Sequence, residues 1–284
     1  MSKRSTDSGT LHLILGKSTK YPSEYNNTLL KGVSRDLNRA TLGLTKNCIP
    51  FSGFDLWTLY ELSWLNMNGL PQVAIGEVRV SSDSDFIIES KSFKLYLNSF
   101  NQTNFKSWQE VANTMQKDLS KVANSSVDVT LLPLEEFNNQ FIGFFSGICL
   151  EKVFSDLSIE QYQYNPKILT NAKGSEIVEE DLYSNLLKSN CLITNQPDWG
   201  SIKISYKGPQ ICKETLLKYI ISLRTHNEFH EQCIERIFLD ILQYCKPELL
   251  TVYARYTRRG GLDINPYRTN QGKVPSENVR FARQ

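Results

Sequence analysis

An α+β fold of two similar modules is what this 284-residue chain predicts. Three observations carry the expectation. The order strand, strand, helix, strand is readable twice along the chain. The strand-like segments alternate apolar and polar residues, as half-buried antiparallel strands do. The helical segments are grouped rather than interleaved one per strand, which argues against a doubly wound parallel sheet.

The elements follow in order. Residues 1–71 read as a polar N-terminal extension, broken by an aromatic patch from Phe51 to Trp64. Residues 72–150 form the expected first module. In it Val73 to Val80 is a strand whose alternation slips at Gly76, as at a bulge. Ser81 to Asp85 is a turn. Phe86 to Leu97 reads as a second strand, with Phe93, Leu95 and Leu97 on one face and Lys94 and Tyr96 on the other. Trp108, Val111, Met115, Leu119 and Val122 fall three or four apart, the spacing of an amphipathic helix. Val127, Val129 and Leu131 alternate as the next strand.

Residues 151–284 form the expected second module. Residues around Leu186 to Ile193 pair with Ser201 to Lys207 across the turn Asn195 to Gly200. A helical stretch from Lys213 to Cys245 is interrupted at Thr225-His226-Asn227, with Asn227 as N-cap of its second part. Leu250, Val252, Ala254 and Tyr256 make a strand that ends at Arg258-Arg259-Gly260-Gly261, and the tail from Pro266 onward is polar.

Composition excludes several functions. With 32 Lys+Arg against 30 Asp+Glu the net charge is +2, too balanced for a domain that grips nucleic acid mainly by charge. No run reaches the ~18–20 apolar residues of a membrane helix. The apolar cluster Leu11 to Leu15 is too short for a signal-peptide core. A cytosolic, reduced protein is expected, so its six cysteines are thiols. There is no C-x-x-C pair, G-x-G-x-x-G or P-loop.

Four segments carry candidate chemistry. Cys191 lies seven residues before Asp198, and a strand–turn–strand would bring thiol and carboxylate within proton-transfer range. Taken alone, the pair reads more readily as a buried structural thiol and a turn-forming Asp. His230 and Glu231 fall in a first helical turn, whose free N–H groups favour an anion or carbonyl, though a first-turn Glu is also a common cap. His230-Glu231-Gln232-Cys233-Ile234 opens like a zincin motif but has Ile234 where the second His belongs. In Glu89-Ser90-Lys91-Ser92-Phe93-Lys94-Leu95-Tyr96, a carboxylate suited to two hydrogen bonds from an amidine-like edge stands near two lysines. Composition alone reads this as a solvated strand face. Arg258-Arg259-Gly260-Gly261 combines bidentate phosphate donors with close backbone approach, or is simply a basic turn.

Together these segments resemble a known family. Glu89 to Tyr96 matches the signature octapeptide of the NADPH-dependent 7-cyano-7-deazaguanine reductases, the QueF nitrile reductases. The run Ser189 to Gly200, the pair His230-Glu231 and the segment Arg258 to Gly261 are similar to the same family in its long, two-module form. The likeness extends from about Ser52 to Arg268. It implies a tunnelling fold (T-fold) of two tandem modules, each an antiparallel sheet with helices on one face, and a homodimer. It also implies four-electron reduction of a nitrile to an aminomethyl group with NADPH, through a covalent thioimide. By this resemblance Cys191 is the nucleophile and Asp198 the proton carrier. His230 is a second proton donor. Ile88, Glu89, Ser90, His230 and Glu231 hold the substrate, and Ser90, Lys91, Arg259 and Gly260 the cofactor. Two rivals remain. One is a hydrolase of the same fold with zinc at Cys191, His226 and His230; the other is a non-catalytic base-binding module.

Overall fold

A computed structural model describes residues 22–46, 48–138, 141–174, 176–272 and 278–284. Expectations for the first 21 residues, including the cluster Leu11 to Leu15, lie outside the described residues. In chain order the elements are β1 (Gly32–Ser34), α1 (Arg35–Ala40), β2 (Ser52–Leu65), β3 (Pro71–Ser81), β4 (Phe86–Ile88), α2 (Ser90–Asn98), α3 (Trp108–Ala123), β5 (Val127–Leu132), α4 (Leu134–Asn138), β6 (Ile148–Cys149) and α5 (Leu150–Val153). The second half adds β7 (Ile177–Asn190), β8 (Pro197–Pro209), α6 (Lys213–Ser222), α7 (His230–Cys245), β9 (Leu249–Tyr256) and β10 (Leu262–Thr269). The class is α+β, as expected. One sheet runs β5-β3-β2-β10-β9-β8-β7-β6. It is antiparallel except where the short β6 joins β7, and β1 and β4 pair separately.

Each half builds its own core. In the first, Trp57, Leu62, Trp64 and Val78 of the sheet meet Phe93 and Tyr96 of α2 and Val111, Met115 and Leu119 of α3. In the second, Leu182, Ile202, Ile204 and Val252 meet Leu216 and Ile220 of α6 and Ile234, Phe238 and Ile241 of α7. The halves join where β10 pairs with β2 over eight residues, Leu262↔Leu59 to Thr269↔Ser52.

The structure corrects the sequence reading in six places. Phe86 to Leu97 is not one strand: β4 stops at Ile88, and α2 begins at Ser90 because Glu89 caps it, its carboxylate accepting from the Lys91 and Ser92 amides at 3.0 and 2.7 Å. Tyr96, expected with Lys94 on the face opposite Phe93, is fully buried beside Phe93. The aromatic patch assigned to the extension is β2, a central strand of the sheet. The slip near Gly76 is real, but the extra residues are on β2, between Leu59 and Leu62. The tail from Pro266 is instead the buried end of β10. Its ladder to β9 registers only Tyr267 to Thr269, and the Asn265 side chain accepts from the Tyr256 amide, so Pro266 interrupts no bond on that side. Asn227 does not cap α7, whose N-cap is Phe229; it donates instead to the Asn195 side chain.

The expected duplication is present at residue level. The Asp118 carboxylate on α3 accepts from the hydroxyls of Tyr25 and Tyr96, and Asp240 on α7 accepts from Tyr164 and Tyr219. The Ser99 hydroxyl accepts from the Asn26 amide, and that of Ser222 from the Asn165 amide. Both first hairpins carry the same bulge, at Leu59/Leu62 and at Ser184/Leu187. Sparse polar pairs record the repeat residue by residue, beneath the order of elements that the hydrophobic pattern shows.

Removing either aspartate strands two tyrosine hydroxyls. Asp118→Ala and Asp240→Ala should each cost about 3 kcal/mol. The double variant should sum the two, because the cores are separate. Urea unfolding measures both; a loss below about 1 kcal/mol for each would show that the hydroxyls find other partners.

Candidate active site

The site forms where four chain segments converge at the junction of the halves. β7 ends at Asn190, and a tight turn to Pro197 follows. The Cys191 amide donates to the Gln196 carbonyl at 2.8 Å, and the Asn195 amide to the Cys191 carbonyl at 3.1 Å. Asn195 adopts the left-handed conformation, which asparagine tolerates. The turn is pinned from the side: the Asn190 amide donates to the His226 carbonyl, and the Glu228 amide to the Asn190 carbonyl. This places Cys191 (5% exposed) and Asp198 (3% exposed) on the wall of one small cavity.

The other walls come from α2, α7 and the β9–β10 turn. One small cavity is lined by Ile88, Ser90, Cys191, Asp198, His230, Glu231 and Arg259, seven of the residues singled out from sequence. It measures about 20 Å³ and adjoins a cleft of about 250 Å³ lined by Ser90, Lys91, Lys94, His230, Arg259 and Gly260. Ser90, His230 and Arg259 belong to both. The β9–β10 turn needs its glycines. Gly260 and Gly261 have φ of +61° and +79°, and a Cβ on Gly260 would come within 2.7 Å of the Lys94 side chain. Glu89 lines neither space. It is buried, with both oxygens on the amides of α2, so it shapes the site through the helix that presents Ser90 and Lys91.

Electrostatics separates the roles. Burial is the largest influence on the Cys191 thiol and would raise its pKa. The Thr194 hydroxyl, the Thr194 and Ile193 amides and the Arg259 charge outweigh it, so the thiol lies below its ordinary value. Burial pushes Asp198 up to about 6, although Arg259 and Lys188 pull the other way. The Arg259 Nε stands 3.2 Å from Asp198 Oδ1 without hydrogen-bond alignment, and that oxygen accepts no hydrogen bond. His230 Nε2 is 3.6 Å from the same oxygen. Burial, then the Arg259 charge, hold His230 down at about 3, so it is a neutral imidazole at pH 7 and not a standing acid. Its ring sits edge-on to Tyr256 at 4.2 Å. Glu231 is pushed up to about 8 by burial and then by Asp55, against Arg35 and Arg268.

Several residues here were not picked out from sequence. Thr194 lies inside the run Ser189 to Gly200, but its hold on the thiol depends on the turn's shape. Glu228 lines the cavity, and its carboxylate is gripped through two nitrogens by Arg236. Lys94, the second of the two octapeptide lysines, faces the cleft with Lys91. The zinc alternative fails on geometry: His226 Nε2 lies 3.1 Å from Glu228, and among the described residues no three His, Cys, Asp or Glu side chains are placed to hold a metal ion.

The raised Asp198 has a thermodynamic consequence. Its native pKa near 6 exceeds the unfolded value of 3.8, so its favourable contribution is present below about pH 4 and lost as pH rises through 6. Asp198→Asn should therefore be more stable than wild type by about 2 kcal/mol at pH 7 and no more stable at pH 4. Denaturant midpoints at the two pH values measure it; an equal difference at both would mean that the carboxylate is not destabilised by burial.

Comparison with known families agrees with this geometry. A model described as the N-terminal part of a nitrile reductase, 7-cyano-7-deazaguanine reductase, matches residues 21–131, and a model described as a QueF-like protein matches residues 197–274. One match falls in each half, and between them they contain the octapeptide helix, Asp198, His230, Glu231 and the Arg259–Gly260 turn, while Cys191 lies just before the second. No helix among the described residues is long and apolar enough to cross a membrane. The chain belongs to the QueF family of 7-cyano-7-deazaguanine reductases, oxidoreductases of queuosine biosynthesis, in its two-module form.

Proposed function

We propose that the chain reduces the nitrile of 7-cyano-7-deazaguanine to 7-aminomethyl-7-deazaguanine, using two NADPH and two protons per nitrile, through a thioimide on Cys191. The observation that carries this reading is the pairing, in one buried cavity, of a thiol held below its ordinary pKa with a carboxylate held well above its own. A nitrile carbon needs a nucleophile, and its nitrogen needs a proton as the bond forms.

In this reading Asp198 takes the Cys191 proton, sulfur bonds to the nitrile carbon, and the same proton passes to the nitrile nitrogen. That leaves a neutral thioimide and an ionised Asp198. Because Asp198 titrates near 6, it accepts and returns a proton at neutral pH at little cost. His230, neutral and 3.6 Å away, offers an N–H to the nitrogen or to Asp198 without itself adding charge. Glu231 takes the base edge: two N–H donors of a guanine-type ring would replace the missing water and favour its anion. The backbone of Ile88 and Ser90 frames the ring, held in place by the Glu89 cap. The tight, buried walls keep water from the imine stage.

Lys91, Lys94 and Arg259, with the close backbone of Gly260, suit a phosphate-bearing nucleotide in the 250 Å³ cleft, and Lys91 and Arg259 favour a 2′-phosphate. NADPH bound there supplies the hydrides for both reductive stages. By the family resemblance the enzyme acts as a homodimer in the cytoplasm, on a free small molecule rather than on nucleic acid or at a membrane.

Mixing the protein with the nitrile and no cofactor should give an adduct of the full ligand mass on Cys191, absent in Cys191→Ala and slowed at least tenfold in Asp198→Ala. Intact-mass and peptide analysis read it. Steady-state turnover should oxidise two NADPH per nitrile; a ratio of one, or turnover by Cys191→Ala, would remove the thioimide route.

A further inference from the structure

Arg259 stands between two sites. It lines the cavity of Cys191 and Asp198 and also the nucleotide cleft beside Lys91, Lys94 and Gly260. Among the described residues its only ion pair is with Asp198, and its guanidinium donates one hydrogen bond, to the neutral Gln196 side chain at 3.2 Å. The contact with Asp198 is close but poorly aligned, and Asp198 Oδ1 stays without a hydrogen bond although buried. A phosphate in the cleft offers the same guanidinium a stronger, bidentate partner.

We propose that Arg259 is shared between Asp198 and the cofactor's phosphate, so that filling the cleft withdraws the nearest cation from Asp198. This deepens the reductase reading and rests on it. The other groups facing Asp198 do not replace that charge. His230 from α7 is neutral, Tyr256 from β9 is un-ionised, and Lys188 from β7 is tied to the Asn190 side chain and the Arg224 carbonyl at 2.6 Å each. Glu228 and Glu231, on the same cavity, are acidic. With the cleft empty, Arg259 favours the anion of Asp198 and the thiolate of Cys191, the state that adds to a nitrile. With the cleft filled, Asp198 holds its proton more tightly, the state that donates. One side chain would thus order covalent addition before reduction.

Linkage makes the idea testable without turnover, because cofactor and proton must affect each other equally. Binding of oxidised NADP⁺ is titrated calorimetrically on the full chain and on Asp198→Asn, from pH 5 to 8.5, and the ratio of the two Kd values cancels the ligand's own ionisation. Asp198→Asn frees Arg259, so it should bind about fivefold tighter or more above pH 7. The ratio should fall toward one below Asp198's titration near pH 6. A ratio of one throughout, or weaker binding by Asp198→Asn, overturns the sharing and leaves the cofactor reading intact. No NADP⁺ binding by either chain overturns the cofactor reading and the sharing with it.

Discussion

The molecule depends on a buried ionic junction. Arg268 of β10 is fully buried and reaches Asp55 of β2 at 2.8 Å and Glu235 of α7 at 3.0 Å. Arg35 and Arg39 of α1 join the same carboxylates, Arg35 to Asp55 at 2.5 Å and Arg39 to Glu235 at 2.7 Å. Five charges from four elements are thus closed off from water where the two halves meet. Such a cluster is a poor source of net stability, because desolvation offsets most of the attraction. Loss of one member, though, strands the others, at a cost of about 3–5 kcal/mol. It therefore acts as a register device: only one docking of β2, β10, α1 and α7 satisfies it.

That docking fixes the site. Glu231 lies one turn before Glu235 on α7, and it shares a small cavity with Arg35, so the charge junction forms the floor beneath the residue proposed to hold the base edge. The Gln232 side chain donates to the Asn38 carbonyl and the Thr41 hydroxyl, tying α1 to the same turn. The segment before β2, which looked like a polar extension, is a structural part of the site. Its arginines look like surface charge in a linear sequence, and only their burial reveals the role.

What the sequence made legible was local chemistry. Cys191, Asp198, His230, Glu231 and Arg259 converge because each is bound to a strongly patterned element or a turn: β8 alternates over Ser201 to Lys207, and α7 has a long apolar stripe. The octapeptide was harder. Phe93, Leu95 and Leu97 alternate as in a strand, while Phe93, Tyr96 and Leu97 also have helical spacing, and both sets are buried. Nine residues of this kind cannot be decided by periodicity. Glu89 decides it, by capping α2. The end of β10 escaped because Pro266 and its polar neighbours resemble a tail; they are buried by β2, a strand more than 190 residues earlier. The tandem repeat was legible as an order of elements, but its residue-level hallmarks were not, since they are isolated Tyr, Asp and Ser residues joined only in space.

The duplication also bears on why one such site, and not two, stands among the described residues. The tyrosine–aspartate pairs set α3 against α7 and α2 against α6, so Trp108 corresponds to His230, and Cys212 to Glu89. In the first half Trp108 packs edge-on against Trp64 at 5.1 Å, filling with indole the place where His230 meets Asp198. In the second half Cys212 precedes α6 with no side-chain cap, where Glu89 caps α2. Each half has kept one part of a site and filled the other with apolar or inert groups. The α2 cap of the first half and the α7 turn of the second come together only because β2 pairs with β10. The two halves share a strand, strand, helix, helix, strand plan, and they differ in function at the two helix starts rather than in either core.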